Sequence, residues 1–96
     1  MSVGPKPRLS IHVKRWPHQE SFLVKGSLRS VPHTHQRILL TATDASGTVL
    51  DRQIAIADGH GDYSAAFPIS LPLARVSATY AGATYEEPAY AEATIR

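Results

Sequence analysis

The sequence predicts an all-β domain made of two packed antiparallel sheets and about seven short strands. Apolar residues recur at every second position in seven separate segments, the period of a strand with one buried face. Clusters of Pro, Gly, Asp and Ser separate those segments, and no segment sustains a 3.6-residue period for three turns. The chain has 96 residues, of which 43% are hydrophobic and 19% charged, so it holds one domain with enough apolar surface for a core. Residues 1–7 read as an N-terminal arm and residues 8–96 as a single sandwich.

The first run alternates Leu9, Ile11 and Val13 with polar neighbours and breaks at Pro17, after Trp16. The second places Phe22, Val24, Gly26 and Leu28 in one phase, and Pro32 follows it. Ile38, Leu40 and Ala42 form the third, which ends in Asp44-Ala45-Ser46-Gly47, a type I turn with a glycine able to take positive φ. Ile54 and Ile56 set the phase of the fourth run, and Asp58 to Asp62 connects it to Tyr63, Ala65 and Phe67 of the fifth. Pro68 and Pro72 lead into Val76, Ala78 and Tyr80, while Gly82 and Pro88 lead out towards Ala91, Ala93 and Ile95. Short strands at this spacing are those of a two-sheet sandwich. Residues 33–46 and the alanine-rich last eight residues are the two places where a helix competes, and the threonines at 41, 43 and 48 favour strand in the first.

Cysteine is absent, which excludes disulfides, a thiolate nucleophile and Cys-ligated zinc. Asparagine is absent too, which excludes N-glycosylation. Apolar runs of no more than four residues are too short for a membrane span, and the start of the chain has no signal-peptide core.

The stretch Ala57-Asp58-Gly59-His60-Gly61-Asp62-Tyr63 resembles the Thr-Asp-x-x-Gly-x-Tyr/Phe hairpin of bacterial Ig-like and carboxypeptidase-regulatory-like domains. Val76 to Gly82, then Tyr85 and Ala91 to Ile95, is similar to their last two strands with a Tyr-x-Gly corner, and Leu40 to Gly47 is similar to their central strand. The likeness covers residues 20–96 and departs from the pattern at Ala57, where threonine is usual. It implies an Ig-like antiparallel β-sandwich of about seven strands, without the Cys…Trp…Cys set of antibody domains. It further implies a non-catalytic module that spaces, displays or docks. In the turn itself, Asp58 is placed to accept backbone amides and Gly61 to close a hairpin in the left-handed region.

Candidate chemistry is sparse. His33 and His35 share a side if extended and offer a zinc pair, yet a structural site needs four ligands, and the same residues read as a polar loop. Asp58 and Asp62 offer oxygens for calcium without EF-hand spacing, and an Asx-turn accounts for Asp58 without an ion. No Gly-x-Ser-x-Gly elbow, phosphate loop or paired-carboxylate motif appears, and a thin sandwich leaves little room for a pocket, so no enzyme and no cofactor are expected.

Charge is the stronger signal. Residues 1–40 carry seven Lys or Arg against Glu20 alone, whereas residues 41–96 carry three Arg against seven carboxylates. If the first two strands are neighbours, Arg8, His12, Lys14, Lys25 and Arg29 share one outward basic face that suits an acidic protein surface. The same face read blandly is a solvated one that keeps the domain soluble. Trp16 is an interface anchor, a sugar platform or a plug over the sandwich end. Missing aromatics between the basic residues argue against nucleic acid. The expectation is a structural or adhesive module docking on a larger assembly, at a virion surface as a decoration protein or at a cell surface as an Ig-like repeat. A carbohydrate-binding module using Trp16 and surface tyrosines is the further alternative.

Overall fold

The alternating segments fold as the period-two pattern requires. In the computed structural model, which describes residues 7–16, 18, 20–29, 36–68, 70–82 and 88–95, they form β1 (Arg8–Trp16), β2 (Ser21–Arg29), β3 (Arg37–Thr43), β4 (Val49–Ile56), β5 (Asp62–Pro68), β6 (Arg75–Tyr80) and β7 (Ala89–Thr94). A three-stranded sheet has the order β1-β2-β5 and a four-stranded sheet the order β4-β3-β6-β7, with every pairing antiparallel. No α-helix occurs among the described residues, and the two helix-competent segments contain β3 and β7. The described residues form a seven-stranded antiparallel β-sandwich.

The inner faces of the central strands form the core. Phe22, Val24 and Leu28 of β2 meet Ile38, Leu40 and Ala42 of β3 and Val76, Ala78 and Tyr80 of β6 in one cluster, joined by Tyr63 and Phe67 of β5. Burial of each large apolar side chain contributes roughly 1.5–3 kcal/mol before conformational entropy is counted. Edge strands contribute less: Leu9 and Val13 of β1 and Ala91 and Ala93 of β7 are only partly buried.

β4 departs from the expected phase. Ile54 and Ile56 face outward, and Ala55 is the buried residue. An edge strand tolerates polar groups on its inner side when they find partners, and Gln53 does: its amide donates to the Ala66 carbonyl of β5 at 2.6 Å. A register shift places Asp51 opposite Ala42 but Val49 opposite Thr43, leaving Leu50 as the extra residue packed on the core.

Two turns repeat one design. Asp44 and Asp58 each accept, through Oδ1, the amides two and four residues on, at 2.8–3.0 Å. In each, the glycine three residues on returns a bond to the aspartate carbonyl, with φ +90° at Gly47 and +84° at Gly61. Their settings differ. The Asp44 turn closes the β3–β4 hairpin, whereas the Asp58 turn is not the expected hairpin, because β4 pairs with β3 and β5 pairs with β2. It carries the chain from one sheet to the other and docks on β2, where Leu28 N–H donates to the Gly61 carbonyl at 2.7 Å. Gly82, φ +88°, follows β6, while Tyr85 of the expected corner lies outside the described residues.

The amides of Asp62 and His60 hold the Asp58 carboxyl below the usual carboxylate range, with the nearby His60 and Arg29 charges adding to the effect. A group depressed in the folded state contributes stability above its unfolded value, near pH 4, and loses it as pH falls through the folded value. The wild-type thermal midpoint is therefore expected to fall on acidification below about pH 4 more steeply than that of Asp58→Asn. Equal acid slopes for the two proteins would remove Asp58 from that account.

Tyr63 makes a second long-range tie. Its register partner on β2 is Gly26, and its hydroxyl donates to the Ser10 carbonyl of β1 at 2.6 Å. One side chain therefore links the two outer strands of the three-stranded sheet across the middle one, over a residue with no side chain.

Candidate docking face

Alternation along β1 and β2 sends every second side chain to the outer face of the three-stranded sheet, and the register sets which ones meet. Arg8 is opposite Arg29, Ser10 opposite Ser27, His12 opposite Lys25, Lys14 opposite Leu23 and Trp16 opposite Ser21. On the other side of β2, Asp62 is opposite Ser27 and Ser64 opposite Lys25. Directly opposed side chains in antiparallel strands have Cβ atoms about 5 Å apart, so like charges there repel. Arg8, His12, Lys14, Lys25 and Arg29 are all exposed.

The five are not equivalent. Arg29 is engaged: Nη2 pairs with Asp62 Oδ1 at 3.0 Å and Nη1 donates to the His60 carbonyl, which clamps the crossover turn to β2. Among the described residues no carboxylate lies within ion-pair distance of Arg8, His12, Lys14 or Lys25. Lys14 Nζ lies 5.1 Å from the centroid of the Trp16 ring, a cation–π contact that leaves its charge on the surface.

Trp16 is half-buried at the end of this same face and is not part of the core cluster, so it does not plug the sandwich. With Lys14, Arg15 and His18 it lines a depression of about 210 Å³. Among the described residues no joint aromatic platform forms with the tyrosines: Tyr90 projects from the other sheet, and Tyr63 and Tyr80 are buried, while Tyr85 lies outside the described residues.

Between the basic residues lies an open basin of about 640 Å³, bounded by Ser10, His12, Lys25, Ser27, Asp62 and Ser64. A thin sandwich leaves little room between its sheets, and this space lies instead on the outer surface of one of them. The basin is polar: Ser10 and Ser27 hydroxyls pair at 2.9 Å, and the Ser27 amide donates to Ser10 Oγ at 3.1 Å. No family model, curated protein or solved structure matches the chain.

The metal candidates divide. His33 and His35 lie outside the described residues. Asp58 is taken up by turn amides and Asp62 by Arg29, and among the described residues no three His, Asp or Glu are grouped to hold an ion.

The outer face of the four-stranded sheet escaped the sequence reading. Ile54 is 60% exposed and Tyr90 61%, with Leu39, Val49 and Ile56 also open. Leu39 signalled it, since an apolar residue between Ile38 and Leu40 has to point away from the core.

Proposed function

We propose that this domain is a non-catalytic docking module that seats an acidic protein surface on the outer face of its three-stranded sheet, as a structural or adhesive part of a larger assembly. The observation that supports it most is the exposed cluster of Arg8, Lys14 and Lys25, with His12 directly opposite Lys25 and no carboxylate in ion-pair reach of any of the four among the described residues. Lys14 is the diagonal neighbour of Lys25, and Arg8 lies opposite Arg29, so like charges repel on this face in the free domain and an acidic partner relieves the repulsion. The polar basin beside this pair gives side-chain carboxylates of a partner room to approach the serine hydroxyls. A resemblance to bacterial Ig-like modules, read from the turn motifs, points the same way, and a virion or cell surface is the setting we infer for it.

Immobilised poly-glutamate serves as the test surface. Wild-type protein is expected to bind it and to be released as screening shortens from about 10 Å at 0.1 M salt to about 3 Å at 1 M. Lys14→Glu/Lys25→Glu is expected to lose binding with an unchanged thermal midpoint, because both side chains are exposed. Arg37→Glu/Arg75→Glu, an equal charge change on the other sheet, is the control and is expected to bind. Equal losses in the two double variants would reduce the effect to net charge and remove the face.

A further inference from the structure

The outer face of the four-stranded sheet has its own pattern, independent of the basic face. The register sets its side chains in rows across β4, β3, β6 and β7. One row reads Ile54, Leu39, Thr79, Tyr90, and the next reads Arg52, Thr41, Ser77, Glu92. Ile56 and Val49 extend the apolar margin along β4. The face therefore has an apolar row with its bulkiest exposed groups at the two ends, beside a row with a cation at one end and an anion at the other. Glu92 is held at the surface by the Tyr90 hydroxyl, which donates to Oε2 at 3.0 Å, and by Arg75 at 3.8 Å.

We infer that two copies of this chain pack through these faces about a two-fold axis lying between the sheets and parallel to the strands. Such an axis exchanges β4 with β7 and β3 with β6 while keeping each row at its own height. Ile54 then meets Tyr90 of the second copy, Leu39 meets its Thr79, and Arg52 meets its Glu92, each contact occurring twice as an isologous interface requires. The strands of the two copies stay aligned, the ordinary arrangement for sheets packed face to face. A two-fold axis in the plane but perpendicular to the strands sets β4 against β4 and leaves Arg52 without Glu92. The Arg52–Glu92 register selects the first axis, and a second copy is the occupant because one surface supplies both halves of that pair and of the Ile54–Tyr90 contact, while Arg75 stays on its own Glu92 and Arg37 lies at the strand ends opposite Ile56.

Size sets the strength. Four strands spaced about 4.8 Å apart make a face roughly 19 Å wide, which buries about half of the 800 Å² or so per partner of a standard interface. The expected dimer is weak, because an interface below about 1,000 Å² in total belongs to the transient class.

Sedimentation equilibrium of the whole chain, from about 1 μM to about 1 mM, is expected to show a monomer–dimer transition. Ile54→Lys is expected to stay monomeric throughout. Arg52→Glu and Glu92→Arg are each expected to weaken association about tenfold or more, and the two together to restore it to within about threefold of wild type. Amide chemical shifts that move with wild-type concentration are expected at Leu39, Ile54, Thr79 and Tyr90. A wild-type chain monomeric at about 1 mM overturns the inference. A double variant that stays as weak as the single ones, or concentration-dependent shifts confined to β1 and β2, overturns it as well.

Discussion

Gly26→Ala is expected to destabilise the domain by about 3 kcal/mol or more, a drop in thermal midpoint on the order of 15 °C for a domain of this length. A Cβ on Gly26 meets the Ser10 carbonyl and the Tyr63 hydroxyl at impossible separations, and the Tyr63 ring carbon at 2.5 Å. The carbonyl belongs to backbone held in the β1–β2 ladder and cannot retreat, so the added methyl forces the Tyr63 ring off β2 and breaks its bond to Ser10. Tyr63→Phe isolates the hydrogen-bond part and is expected to cost about 1–3 kcal/mol, since it leaves a part-buried carbonyl without that donor. It should also change the alkaline limb. Burial pushes the Tyr63 hydroxyl up to about 12. A group raised in the folded state contributes stability fully below its unfolded value, near pH 10, and loses it as pH climbs from there towards 12. Wild type is expected to weaken across that window, and Tyr63→Phe to weaken less. A normal midpoint for Gly26→Ala would mean that the ring does not lie where described.

The second large effect separates two glycines with nearly the same backbone. Gly61→Val is expected to cost about 3 kcal/mol or more, and Gly47→Val about 1–2 kcal/mol. Both have positive φ, so both pay the left-handed backbone term. Only Gly61 is also crowded: a Cβ there meets the Leu28 carbonyl and comes within 2.9 Å of Arg29 Nη1, whereas Gly47 has nothing within 4 Å. Gly59→Val, also in open space, is expected to be nearly neutral. Denaturation midpoints for the three variants give the order directly. If Gly61 and Gly47 cost the same, the crossover turn is not docked on β2.

Strand number and most strand phases were legible because an inward phase is written as alternation whenever both neighbours of an apolar residue are polar, as in β1. Alternation does not give the phase of β4, for a physical reason. An edge strand presents a polar group inward at low cost if a partner is near, so Gln53 could take the inner position while the more hydrophobic Ile54 and Ile56 did not. Which sheet a strand joins was not legible either. The Asp58 turn has the same local bonds as the Asp44 hairpin, and only the pairing of β5 with β2 distinguishes a crossover from a hairpin. The basic face followed from the phase of β1 and β2 together with their adjacency. Its true composition did not, because the partner that engages Arg29 is Asp62, brought alongside by a strand distant in sequence. The rows of the other face needed three registers at once.

The bond from Gln53 to Ala66 has a consequence for the life of the chain in a crowded solution. β5 closes one side of its sheet, and an open sheet edge is a template on which any extended chain can add itself, the first step towards aggregation. Gln53 sets its amide at the place where an invading N–H would bind, and Pro68, at the end of the same strand, has no N–H to offer. The side of the sandwich between β4 and β5 is thereby made a poor seed, at the modest expense of one polar residue on an edge strand. Gln53→Val, which removes that donor and favours extended structure, is the change by which this domain would begin to recruit copies of itself in the wrong way.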